Sequence, residues 1–387
     1  MTKAVFYQGV GPELTRYDID VDGAALIKRD TVATPGANIQ YVWPHPSRTH
    51  LYAVSSDGGP GTRPSTRNIA TAFRIDPATG VLTPHNSVDD LPSRPVHCSV
   101  DRSGRYLLTA YNHPSNITVH RLNPDGGIGA QIAPRETLDV GIFAHQVMMT
   151  PDNRTAILVT RGNNPEGGRP EDPGALKLFD FRDGALSNQG AIAPGGGLGF
   201  GARHLDFHPT KPWVLLSVER QSELHVYRLN ERGTLDPAPM FVCNTLADRN
   251  NNIHTQMAGA IHVHPTGRYV YVTNRNSGTE DIGGRKVQSG GENNVAVIAL
   301  DPATGEPRLI QNIDAHTIHL RTFAIDPSGR LLIAASVLPM ALRDGPTLPA
   351  ALVLYRIGGD GRLEFARKID VDPGRFMQFW TGIVTLP

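Results

Sequence analysis

Residues able to hold an anion and move a proton recur in this sequence at two fixed distances from a turn proline. Six residues before it stand Gln40, His145, Arg203, Gly259 and Arg321, with Val96 at the same distance from Arg102. Ten residues after the same index stand Ser56, Asn112, Arg161, Glu219, Arg275 and Val337. A guanidinium presents two aligned donors to a phosphate or carboxylate. An imidazole titrates near neutral pH and can serve as acid or base. Gathered around one concavity, His145, Arg203, Glu219, Arg275 and Arg321 would make a net positive pocket for a small anion. The competing interpretation is an ion pair that merely closes a channel beside an incidental histidine. Position favours function: a purely structural site should hold similar residues in every copy, as the intervening apolar positions do, whereas these hold varied polar groups.

The index prolines belong to a repeated unit of strand, turn and strand. Its copies are YVWPHPSRTHLYAVSS, HCSVDRSGRYLLTAYN, QVMMTPDNRTAILVTR, LDFHPTKPWVLLSVER, IHVHPTGRYVYVTNR and FAIDPSGRLLIAASV. Pro presets φ in such turns, and Gly or Asn accepts the left-handed backbone they need. After a variable gap follow alternating strands such as NITVHRL, ELHVYRL, NVAVIAL and ALVLYRI. Repetition of this kind predicts an all-β closed ring of seven four-stranded antiparallel blades, a single domain over residues 1–387. A β-sandwich has many short strands too, but no reason to repeat one unit at this period. The seventh blade is split, FMQFWTGIV near one terminus joining KAVFYQG and ELTRYDID near the other, which removes the free edge of an open ring. In a propeller the first strand of each blade lines the channel, so the two slots are expected to face each other at one mouth.

Composition narrows the partners. Lys plus Arg and Asp plus Glu both number 37, so no net field draws nucleic acid or an anionic membrane, and anion binding must be local. Cys98 and Cys243 lack CxxC spacing and read as two reduced, buried thiols. No stretch approaches the ~20 apolar residues of a membrane span, nor does the start resemble a signal peptide, so a cytoplasmic location is expected. His262, His264, His316 and His319 lack further ligands at metal-site spacing, and neither a metal nor a cofactor is expected. The glycine-rich stretch 193–203 lacks the strand, loop and helix setting of a nucleotide fingerprint. Long polar loops SDGGPGTRPSTRN, RGNNPEGGRPEDPG and NSGTEDIGGRKVQSGGENN stand where they could roof the mouth, and another brings His254 and Gln256 towards Gly259.

The segments AHQVMMTPDNR, GARHLDFHPTKPWVLLSVE and IHVHPTGRYVYVTNR resemble those of the seven-bladed propeller lactonase family, which includes bacterial 6-phosphogluconolactonases and fungal carboxy-muconate lactonizing enzymes. The resemblance spans essentially the whole chain. It implies an active site of His145, Arg203, Glu219 and Arg275, with Gln40, His97 and Arg321 as channel neighbours; the late-slot residues Asn112 and Arg161, with His204 and the loop residue His254, are expected as further substrate contacts. It implies hydrolysis of a sugar-acid lactone, which the arginines suggest is small and anionic and which, with no metal-ligand set in the sequence, is expected to proceed without metal. In that chemistry His145 is the acid or base, Glu219 its helper or the alternative base, and Arg203 and Arg275 hold the anion or the oxyanion. The alternatives are the reverse closure of a carboxylated muconate and a noncatalytic binding propeller. GARH stands where relatives often have a GPRH-like segment, and the loops after Ser56, Arg161 and Arg275 are long, features that bear on which substrate enters.

Overall fold

The computed structural model describes residues 3–59, 64–251, 253 and 255–387. Seven four-stranded antiparallel sheets carry the chain. Their innermost strands are Asn38–Pro44, Pro95–Val100, Ala144–Met149, Ala202–Phe207, Gln256–Val263, Leu320–Ile325 and Gln378–Thr385, here assigned to blades 1 to 7 in that order. Each inner strand touches the next around the ring, and Gln378–Thr385 touches Asn38–Pro44, so the ring closes. Blade 7 is the split one: Gln378–Thr385 pairs with Ala4–Val10, which continues to Glu13–Asp20 and Ala25–Ala33. The only helical element among the described residues is the 3₁₀ turn Pro194–Gly197, and no helix is long and apolar enough to cross a membrane.

The core lies between blades. Second strands such as Thr155–Thr160, Trp213–Val218 and Leu331–Ser336 are buried at every residue, because both faces of a blade are covered by its neighbours. Ile157, Val159, Leu176 and Leu178 of blade 3 pack on Leu205, Val214 and Leu216 of blade 4. Each such side chain contributes about 1.5–3 kcal/mol when fully buried. Polar side chains also lace adjacent inner strands: the Gln146 amide donates to Leu205 O at 3.2 Å and accepts from Leu205 N at 2.6 Å.

The turns do more than reverse the chain. His45, His208 and His264 each place Nε2 within 3.0 Å of a glycine carbonyl in the next blade's turn, at Gly104, Gly267 and Gly329. Those glycines have φ near +70°, and a Cβ on any of them would stand within 2.5 Å of the histidine ring. The histidine pattern HP thus forms part of a hoop that fastens blade to blade.

One irregularity recurs around the ring and positions the mouth. In blades 1 to 4 and 6 the inner strand skips one residue of its pairing, and the skipped residues are Gln40, Val96, His145, Arg203 and Arg321. Blade 5 skips at Gly259 and Ala260, and blade 7 at Phe379. The early slot is therefore a β-bulge in every blade, a device that bends the strand and re-aims a side chain. The bulge also corrects the expected register. Late-slot residues lie opposite the position two before the early slot, as in Ser56 with Asn38 and Arg275 with Met257, because the extra residue shifts the pairing.

Candidate active site

Glu219 is the centre of charge at the mouth. It stands just past the second strand of blade 4, is 2% exposed, and gathers guanidinium groups from blades 3, 4 and 5. Arg161 Nη1 lies 3.2 Å from Oε2, Arg203 Nε 3.1 Å from Oε1, and Arg275 Nη2 donates to Oε1 in the shortest contact of the group. The Arg203 contact is an ion pair without hydrogen-bond alignment, since its Nε has no hydrogen-bond partner. Burial pushes the Glu219 carboxyl up, but Arg275, Arg161 and Arg203 outweigh it and bring its pKa down to about 2. Burial and the neighbouring Arg275 lower Arg203 to about 9, which leaves it charged at neutral pH.

Four histidines surround this cluster in different states of engagement. Arg203 Nη1 donates to His204 Nδ1 at 3.2 Å and Arg275 Nη1 to His319 Nε2 at 2.7 Å, so each imidazole carries its proton on the other nitrogen. His97 rests 4.1 Å from the Tyr41 ring, and Val147 N–H approaches its Nδ1 at 3.5 Å. His145, from the bulge of blade 3, meets the His204 ring at 4.9 Å but makes no hydrogen bond among the described residues, and its buried Nδ1 has no partner there. Burial first, then the charge of Arg203, holds all but His319 below the usual histidine range: His97 at about 3, His145 and His204 well below 6.5. For His319, also well below 6.5, burial is followed by Arg275. Neutral imidazole is the resting form throughout.

Across the channel lies a second cationic group. Arg94, 6% exposed, donates through Nε and Nη2 to Gln40 Oε1 at 3.0 and 2.7 Å. The Arg321 guanidinium lies 3.8 Å from the centre of the Phe379 ring, and that of Arg94 5.9 Å from it. Two cavities open at this end. One of about 450 Å³ is lined by Arg161, Glu219, Glu171, Arg220 and loop residues such as Asn164 and Gly278. The other, about 210 Å³, is lined by Gln40, Gly58, Gly59, Arg375, Phe376 and Phe379. A cavity of about 250 Å³ at the opposite, turn-side end is walled by Tyr41, Trp43, Phe323 and Trp380 and lies away from the arginines.

The structure brings together His145, Arg161, Arg203, His204, Glu219 and Arg275 by direct contacts, with His97 against His204 and Gln40 and Arg321 in the second group. Asn112 is buried in blade 2 with Oδ1 unpartnered, and no hydrogen bond or ion pair joins it to the arginines. His254 lies outside the described residues, as does the 60–63 part of the first long loop. Gln256 is not free for substrate, because its amide bonds Arg275 O, Glu292 O and Glu292 N. Cys243 is half-buried rather than buried, while Cys98 is buried, and both are free. His264 is a turn staple and His316 packs tilted against Phe365 with ring centres 3.9 Å apart, but His319 belongs to the mouth. Among the described residues no group of three or more His, Cys, Asp or Glu side chains could hold a metal.

Sequence reasoning missed Arg94, His319 and Phe379. Arg94 and His319 each precede a bulge residue by two, at Val96 and Arg321, and this third slot is as varied as the others. Phe379 is the bulge of blade 7, whose split hairpin carries no turn proline to count from.

The comparisons with known proteins bear on the fold and the family. Residues 4–337 match the family model described as Lactonase, 7-bladed beta-propeller. The chain is 27% identical over 349 residues to a 6-phosphogluconolactonase of Bacillus subtilis (strain 168), covering 87% of this chain and 89% of that one. It is 29% identical over 315 residues to one from Enterobacter sp. (strain 638), covering 79% of each. Among solved structures, the periplasmic gluconolactonase of Pseudomonas aeruginosa superposes with a TM-score of 0.72 at 19% identity over 99% of both chains. A structure described as a putative 6-phosphogluconolactonase from Bacteroides uniformis gives a TM-score of 0.74 at 19% identity, over 99% of this chain and all of that one. With its ring of seven blades, its bulged inner strands and a family match over most of its length, the chain belongs to the seven-bladed β-propeller lactonase family.

Proposed function

We propose that the protein hydrolyses a small anionic sugar-acid lactone, with His145 as the proton-transfer residue. The observation that carries this reading is the state of His145: a buried neutral imidazole with no hydrogen bond, set among guanidinium groups. Such a group is free to accept the proton of a water that attacks the lactone carbonyl. The carbonyl oxygen becomes an oxyanion, which the guanidinium cluster stabilises. When the ring C–O bond breaks, the proton on His145 passes to the leaving alkoxide, giving a hydroxy acid whose carboxyl group ionises. Arg203 and Arg275 are the donors closest to this chemistry. Glu219 has a different role from that of a base: a carboxylate at about 2 with three guanidinium partners keeps those arginines in place. The names of the Bacillus and Enterobacter relatives support a phosphorylated gluconolactone. The reading places the reaction in the cytoplasm, a setting that two unpaired cysteines suit.

A hydrolysis screen of phosphorylated and unphosphorylated aldonolactones, corrected for spontaneous opening, tests it. On the best substrate, His145→Ala lowers kcat by about 10²- to 10⁴-fold, the usual range for losing a positioned acid or base. A folded variant with near-normal turnover would remove His145 from the chemistry, and no turnover of any lactone would leave the binding-propeller reading.

A further inference from the structure

The arginines of the mouth, Arg94, Arg203 and Arg275 buried and Arg161 and Arg321 half-buried, divide by their counter-charges. Arg161, Arg203 and Arg275 share the Glu219 carboxylate. Arg94 and Arg321 share nothing of the kind: among the described residues no carboxylate lies within ion-pair distance of either. Arg94 directs two donors to one neutral amide oxygen of Gln40, and the Arg321 guanidinium has no hydrogen bond among the described residues, only the face of Phe379. An aromatic face attracts a cation but does not neutralise it. Withdrawing an unpaired charge from water is costly, fully for Arg94 and in part for Arg321, and two cations beside one ring repel each other as well. Both groups are depressed accordingly, Arg94 by burial to about 10 and Arg321 by burial and then by Arg203, Arg275 and Arg94. A fold keeps such a pair where a ligand brings the missing charge.

We propose that Arg94 and Arg321, set over Phe379 and steadied by Gln40, form a phosphomonoester subsite distinct from the arginines that Glu219 neutralises. Two uncompensated cations match a phosphomonoester, which carries about −1.5 to −2 at pH 7, better than a carboxylate, which would leave one cation unbalanced. Guanidinium forks suit its oxygens. Gln40 and Phe379, the side chains that Arg94 and Arg321 touch, line the 210 Å³ cavity together with Arg375, so the pair stands directly behind its wall. His145 and the Glu219 cluster then address the lactone end of the same molecule. This division of labour rests on the lactonase reading, and it assigns the anion to arginines other than Arg203 and Arg275.

The test has two arms. Inorganic phosphate is titrated calorimetrically into the wild type, Arg94→Gln and Arg321→Gln, with acetate as the monoanion comparison and the exposed Arg182→Gln as control. Phosphate affinity falls at least tenfold in the first two variants and not in the control, and acetate binds the wild type more weakly than phosphate. In the second arm, the ratio of kcat/KM for 6-phosphogluconolactone over gluconolactone falls at least tenfold in both variants. Arg94→Lys and Arg321→Lys, which keep the charge and lose the fork, give intermediate losses and stand in should a glutamine variant fail to fold. Phosphate affinity that is the same in folded variants and wild type, or an unchanged ratio, overturns the subsite. A wild type that hydrolyses no lactone, yet loses phosphate binding with Arg94→Gln, overturns the lactonase reading and leaves the subsite standing.

Discussion

Glu219 and His145 stand in one cluster yet answer different questions about charge. Glu219→Gln keeps the shape and removes the only carboxylate that, among the described residues, pairs with Arg161, Arg203 and Arg275. Breaking a buried pair by losing one partner costs about 3–5 kcal/mol, so the variant should melt well below the wild type, and added phosphate should restore part of the loss. If Glu219 were a base, turnover would fall with stability intact, and paired melting and kinetic curves separate the two cases. His145 makes the complementary prediction about pH. Its pKa is depressed, so the imidazole is already in its basic form at the unperturbed value of about 6.5. As pH falls from 8 to 6, kcat/KM should stay flat, and the acid limb should appear only below that window. Bound phosphate adds negative charge near the ring, favours the imidazolium and should move the acid limb of kcat above that of kcat/KM. An acid limb of kcat/KM centred near 6.5 that disappears in His145→Ala would contradict the neutral resting state.

The strands and turns explain why some of this site was legible in the sequence and some was not. Counting from turn prolines found His145, Arg203, Glu219, Arg275 and Arg321 because the hairpin has constant length in those blades. It could not reveal that the early slot is a bulge, since an unpaired residue leaves the length of the repeat unchanged. That hidden residue displaced the partner of each late-slot side chain, and with it went Arg94 and His319 in the position actually opposite. Phe379 was hidden for another reason, its hairpin being made from both ends of the chain. The turns were read correctly as turns, but HPTG carries a second meaning that only packing shows: His208 seats its ring against the backbone of Gly267. Gly267→Ala combines φ of +73° with a Cβ 2.4 Å from His208 Nε2. Gly283→Ala has a similar φ of +60° and open space around it. Both pay the left-handed backbone cost, so their difference isolates the staple. Gly267→Ala should be less stable than Gly283→Ala by about 1–3 kcal/mol, the usual cost of overpacking. Equal denaturation midpoints would show that the hoop yields freely.

At the scale of the molecule, every blade depends on its neighbours for the covering of both faces, and blade 7 exists only because two distant segments meet. Val5, Tyr7, Trp380 and Val384 of that blade cover Ile39, Val42 and Leu51 of blade 1. On its other side Phe6 and Tyr17 cover Leu331, Ile333 and Leu354 of blade 6. Removing residues 376–387 deletes the inner strand, opens the edge of Ala4–Val10, bares apolar surface on both flanks and takes away Phe379. In a repeat array whose units couple only to neighbours, such a loss would fray locally and leave a main transition near the original. In a closed ring that unfolds as one domain over residues 1–387, there is no end from which to fray, and the loss is felt everywhere. The truncated chain should therefore lack a cooperative transition at the wild-type temperature, expose apolar surface to a dye, and exchange amide hydrogens quickly even in blades 3 and 4, opposite the break. Protection of Thr155–Thr160 and Trp213–Val218 at wild-type levels in the truncated protein would mean that the blades fold in independent groups, and the single-domain reading would fall with it.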